Sequence, residues 1–86
     1  VSASDYESSL DPKAKAILDF LRATPAKSYT VMDLYGAVYA EPERNAHLST
    51  GLKDVFAQIQ GWLNEFTERG YVKSKRIATS FYYSAA

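Results

Sequence analysis

The sequence predicts an α+β domain that is mainly helical, with three helices followed by a small C-terminal β-hairpin. Three observations lead there. Ser49 to Gly70, STGLKDVFAQIQGWLNEFTERG, carries apolar residues at helical spacing and stops at a glycine. A basic, strand-like stretch follows at once, Tyr71 to Arg76, and the chain closes on the aromatic run Phe81-Tyr82-Tyr83. Upstream, two shorter stretches of helical periodicity are each followed by an X-Pro step, Thr24-Pro25 and Glu41-Pro42.

In chain order, residues 1–9 are small, polar and serine-rich and read as a flexible arm. Tyr6 within it is available to dock on the domain or on a partner. Residues 10–86 read as a single domain. Asp11-Pro12 is a helix start: the Asp carboxylate accepts orphan backbone N–H groups and Pro suits the first turn. Ala14, Ile17, Leu18 and Leu21 recur at helical spacing with Phe20 beside them, so the first helix spans about Pro12 to Ala23. Lys27 to Thr30 is a candidate short strand. Thr30 caps a second helix, with Asp33 in its first turn and Val31, Leu34, Tyr35 and Val38 on its apolar side, ending near Ala40.

Glu41 to Leu48 is a charged, polar connection, either a loop or a short helical turn after Pro42. The third helix has acceptable caps at Ser49, Thr50 and Asp54. Its apolar side is Leu52, Val55, Phe56, Ile59, Leu63 and Phe66, with Trp62 at the edge. Lys53, Asp54, Ala57, Gly61, Asn64, Glu65 and Glu68 lie opposite, flanked by Gln58 and Gln60. Gly70 suits the left-handed position that ends a helix. The hairpin turn lacks an Asn-Gly or Asp-Gly signal, which leaves its register open.

Composition narrows the function. Net charge is zero, with 10 basic and 10 acidic residues, unlike a strongly basic non-specific nucleic-acid binder. The distribution is uneven: from Arg69 to the end there are four basic residues and no acidic one. With no cysteine there is no disulfide, thiolate metal site or thiol nucleophile, and one histidine, His47, cannot build a multi-histidine metal site. No acid–base or nucleophile constellation and no phosphate-cradling glycine loop is present, so neither an enzyme nor a cofactor is expected. No apolar run approaches a membrane span of about 18 residues, and no secretory signal is visible.

Leu63-Asn64-Glu65-Phe66-Thr67-Glu68-Arg69-Gly70-Tyr71-Val72 looks like the exit from a recognition helix, and Phe81-Tyr82-Tyr83 like the last strand of a wing. With the step from Pro25 to Tyr29 into the second helix, the chain from about Leu10 to Ser84 resembles the winged helix-turn-helix transcriptional regulators, and more faintly their PadR-like branch. It departs from them in the length of the Glu41–Leu48 connection, in Gln60-Gly61 where PadR-like proteins often carry Tyr-Pro, and in having no dimerisation helix after the wing. The resemblance implies a cytoplasmic homodimer on double-stranded operator DNA, with the long helix in the major groove and the wing on the backbone or minor groove. Gln58, Gln60 and Asn64 would then read bases, as amides pair with the adenine edge. Lys53, Lys73, Lys75 and Arg76 would hold phosphates. The first helix and the C-terminal strand would offer a dimer surface. The alternative is a winged helix that binds protein within a larger assembly. Zero net charge, the acids Asp54, Glu65 and Glu68 on the exposed helix side, and seven tyrosines favour it.

Overall fold

The computed structural model describes residues 3–86. Its order is α1 (Ala3–Ser8), α2 (Pro12–Ala23), α3 (Val31–Val38), α4 (Glu41–Thr50), α5 (Lys53–Glu68), β1 (Val72–Ile77) and β2 (Ser80–Ala85). The fold is α+β and mostly helical, with one two-stranded antiparallel hairpin.

Local chemistry sets most of the boundaries. Asp11 caps α2 by accepting from the Lys13 N–H at 2.9 Å, with Pro12 in the first turn. Thr30 and Asp33 form a reciprocal capping box at the start of α3, both bonds 3.1 Å. At the end of α5, Gly70 takes φ +79°. Its N–H reaches the Thr67 carbonyl, and the Tyr71 N–H reaches the Phe66 carbonyl at 2.9 Å. Those two bonds are the Schellman pattern, and they turn the chain directly into β1.

The core is built from the predicted faces. Ala14, Ile17, Leu18 and Leu21 of α2, Leu34 and Tyr35 of α3, and Ile59, Leu63 and Phe66 of α5 are buried, joined by Tyr39, Val72 and Tyr83. Each large side chain so buried stabilises the fold by roughly 1.5–3 kcal/mol relative to its exposed state. The apolar side of α2 is thus consumed within the chain, as is Tyr83 of β2, so those side chains offer no open apolar surface for a second copy.

Three expectations are corrected. The three-helix count becomes five among the described residues. The connection after Ala40 is a ten-residue helix, α4, which buries no side chain and is held by polar contacts. Glu43 accepts from the Ala40 N–H at 3.1 Å and from Lys13 of α2 at 2.6 Å. His47 Nδ1 lies 3.0 Å from the Tyr35 hydroxyl, and Arg44 donates to the Tyr39 and Gly36 carbonyls. With no apolar stripe, α4 carries no periodicity signal. Consequently α5 starts only at Lys53, after Gly51 at φ +102° and with Leu52, not a polar cap, at its head.

The third correction concerns the expected arm, whose first two residues lie outside the described residues. Ala3–Ser8 is helical and docked. Tyr6 is 8% exposed, its ring 5.9 Å from that of Tyr71, with the Arg69 guanidinium 3.5 Å over it. Glu7 pairs with Arg22 of α2, whose hydrogen bond holds the Glu7 carboxyl below its ordinary value. The Tyr6 hydroxyl is buried without a hydrogen-bond partner among the described residues. Burial first, and then the Glu65 carboxylate, which acts on the hydroxyl from outside that hydrogen-bond geometry, push the Tyr6 phenol up to about 12. An acid whose folded pKa is raised contributes stability below its unfolded value of 10.0, lost as pH climbs towards 12. Urea midpoints should therefore fall on going from neutral to strongly alkaline pH. Tyr6→Phe should keep neutral-pH stability within about 1 kcal/mol and shrink the alkaline loss, because it removes an unpartnered hydroxyl.

The hairpin register pairs Val72 with Ala85, Ser74 with Tyr83 and Arg76 with Phe81 on one face, and Lys73 with Ser84, Lys75 with Tyr82 and Ile77 with Ser80 on the other. The two-residue turn is Ala78-Thr79, with Ala78 at φ +57°. A left-handed alanine costs about 1–2 kcal/mol. The Arg76 Nε–H bond to the Ala78 carbonyl at 3.0 Å helps hold it there. Ala78→Gly should raise the thermal midpoint by relieving about 1 kcal/mol of that strain. On its other edge β2 meets Tyr29 in an antiparallel bridge, with N–H to carbonyl distances of 2.8 and 2.7 Å. The predicted strand at Lys27–Thr30 is therefore a single bridged residue.

Candidate nucleic-acid interface

The candidate base-reading residues all lie on α5, and the helix geometry separates them. At about 100° per residue, positions two apart point to opposite flanks. Gln60 therefore faces the hairpin while Gln58 stands exposed on the far flank. Lys53, Gln60 and Asn64 share one stripe, spaced at seven and four residues.

Gln60 is committed within the fold. Its Nε2 donates to the Tyr83 hydroxyl at 2.6 Å and to Asn64 Oδ1 at 3.0 Å. Both amide hydrogens are used, so bidentate pairing with an adenine edge would require breaking one of these bonds. Gln60 and Asn64 act here as a tie between α5 and β2. Tyr83, buried at 3% exposure, anchors that tie and the Tyr29 bridge together. Tyr83→Phe should cost about 1 kcal/mol. It should also speed amide exchange along β2 relative to α2, which distinguishes a loosened hairpin from a globally weaker fold.

The candidate phosphate contacts are exposed, but they divide. Lys73 and Lys75 lie on one face of the hairpin, beside Tyr82 and Ile77. Arg76 lies on the opposite face, its guanidinium 5.9 Å from the Phe81 ring. Lys53 stands exposed at the first position of α5.

Ion pairing sorts the basic residues. Lys13 pairs with Glu43, Lys15 with Asp19, Arg22 with Glu7 and Arg69 with Glu65. Among the described residues, Lys53, Lys73, Lys75 and Arg76 have no carboxylate partner at ion-pair distance, nor do Lys27 and Arg44, the latter turned to the Tyr39 and Gly36 carbonyls. The helical half thus neutralises most of its cations internally, and the hairpin leaves all of its own open. The exposed side of α5 is less favourable to an anion, because Glu65 and Glu68 stand exposed there, Glu68 beside the hairpin.

Several side chains near this surface are not among the expected DNA contacts. Thr67, Glu68, Ser74, Phe81 and Tyr83 line a groove between α5 and the hairpin. The signal was the strand alternation, which puts Phe81 and Tyr83 on one face and Tyr82 on the other. Met32, 67% exposed, stands at the start of α3 beside Phe81 and Phe56. Among the described residues no group of three His, Asp or Glu side chains is placed to hold a metal ion, and no helix is long and apolar enough to cross a membrane. No protein-family model, curated protein or solved structure matches the chain.

Proposed function

We propose that the chain is a winged-helix DNA-binding domain acting in transcriptional control, with β1–β2 as its wing and α5 as its groove helix. The element order supports this reading. A helix, a bridged residue, two helices, the long helix and a hairpin follow one another, and Tyr29 adds a third rung to the sheet beside β2. The single observation that carries the DNA assignment is the open charge of the hairpin: Lys73, Lys75 and Arg76 are all exposed and unneutralised, while four of the seven cations elsewhere are paired. Lysine and arginine in this state release condensed counterions on meeting phosphate, which drives binding.

In this reading the wing leads. Lys73 and Lys75 hold phosphate from one face and Arg76 from the other, with Lys53 adding a contact from the head of α5. Asn64 is the base-reading residue nearest the wing. Gln58 reads only if the helix rolls its far flank into the groove, and Gln60 positions the wing. A homodimer would supply the second half-site. Amide NMR of the chain with a mixed-sequence duplex tests the placement. Shifts concentrated on β1, the hairpin turn and the Lys53–Asn64 stripe support it, and shifts concentrated on α4 would sink it.

A second reading, a winged helix that binds protein, draws on one specific observation. Met32, Ile77 and Phe81 are half or more exposed, and the outward side of α5 is acidic. Under that reading the lysines of β1 protect a sheet edge against unwanted pairing.

A further inference from the structure

The groove between α5 and the inner face of the hairpin is open to solvent and has a volume of about 450 Å³. It runs on into a smaller hollow of about 260 Å³ at the start of α3, and the two share Gln60 and Phe81. From Gln60 to Glu68 the helix covers about 12 Å. The ends differ in chemistry. Near α3 the walls are Met32, Phe56 and the half-exposed ring of Phe81. At the far end stands Glu68, exposed and without an ion-pair partner among the described residues. Among the described residues lining both hollows, Glu68 carries the only formal charge.

The bases nearby do not cancel it. Arg69 is turned to Glu65, 3.6 Å away, and to the Tyr6 ring. Arg76 sits at Phe81, the apolar end, where it disfavours a second cation. Between the ends, the Tyr83 hydroxyl accepts from Gln60 and keeps its own proton free to donate. An aromatic wall, a hydrogen-bonding floor and a lone carboxylate make the arrangement of a small-molecule site: mostly apolar contact with a few polar groups that fix orientation.

We infer that this groove binds a small amphiphilic organic cation, with an apolar or aromatic body against Phe81 and Met32 and an ammonium head at Glu68. The site is independent of the DNA reading, because it is tested on the free chain. Occupancy would wedge apart the elements that Gln60 and Tyr83 tie together.

The test is an amide NMR titration of the full chain with phenylbutylammonium and, separately, with the neutral phenylbutanol. The expected result is saturable shifts at Gln60, Asn64, Ser74 and Phe81, with the ammonium bound roughly tenfold tighter than the alcohol, as a charge-assisted contact at a partly solvated carboxylate allows. Glu68→Gln should erase that preference, and Phe81→Ala should weaken both probes. Both side chains are exposed, and spectra of the free variants check that the fold persists. If Phe81→Ala unfolds, Glu68→Gln alone decides. Equal affinity for the two probes, shifts that do not saturate or lie elsewhere, or a preference that survives Glu68→Gln would overturn the proposal.

Discussion

Replacing Lys73, Lys75 and Arg76 together by alanine should weaken duplex DNA binding at least about tenfold at low salt, a loss of about 1.4 kcal/mol. It should also flatten the salt dependence. Each phosphate contact contributes about 0.9 to the slope of log affinity against log salt, so removing three lowers its magnitude by about 2.7. The split of these residues across two hairpin faces sharpens the expectation. Lys73→Ala with Lys75→Ala removes one face, and Arg76→Ala the other. If both faces touch DNA, as a hairpin seated in a groove would, each set lowers the slope separately. If one face alone matters, one set is silent. Arg76 also braces the turn through the Ala78 carbonyl, so its variant needs a melting control that the lysine pair does not. A folded triple variant that binds DNA like the parent would remove the phosphate role from the wing, whereas binding to a protein partner with no DNA affinity would favour the protein-binding reading.

Phe66→Ala should be the most damaging single change to the fold. Phe66 is fully buried and is the largest of the completely enclosed side chains. Truncating a buried phenylalanine costs about 3–5 kcal/mol through lost transfer energy and the cavity left behind. A domain of 86 residues has a total stability of roughly 4–13 kcal/mol. The variant therefore loses a large part of its stability and falls close to unfolding at the lower end of that range. Phe66 is also where the chain turns: its carbonyl accepts the Tyr71 N–H that closes the helix end and starts β1. Urea unfolding should show a much lower midpoint with a similar slope. A loss below about 1 kcal/mol would mean that α5 is not seated on this face, because burial of its apolar stripe is what holds it.

What was legible in the sequence had a local cause. Asp11-Pro12 and Thr24-Pro25 bracket α2 because capping and proline geometry act within a few residues. The apolar stripe of α5 and the Gly70 stop could be read for the same reason. What was hidden depends on distant partners or on polar anchoring. Tyr6 is buried by Arg69 and Tyr71 from the far end of the chain, so α1 reads as a polar arm. The anchors of α4 are a carboxylate, an imidazole and a guanidinium, which leave no periodic apolar trace.

The candidate site divides in the same way. The exposure of Lys73, Lys75 and Arg76 follows from composition, and their division between faces follows from strand alternation once the register is fixed. The Ala78 turn that fixes it carries no glycine signal. Gln60 illustrates the other limit. An amide on an exposed-looking flank is indistinguishable in sequence from a base reader, and only the arrival of Tyr83 from β2 shows that its hydrogens are spent.

The most direct test of the DNA-binding account is the affinity of the intact chain for a mixed-sequence duplex, by fluorescence anisotropy across a series of salt concentrations. Lys53, Lys73, Lys75 and Arg76, the open cations assigned to phosphate, predict measurable binding at low salt. Log affinity should fall linearly with log salt, with a slope of about −3.6 if all four meet phosphate. No binding at low salt, or an affinity indifferent to salt, would contradict it.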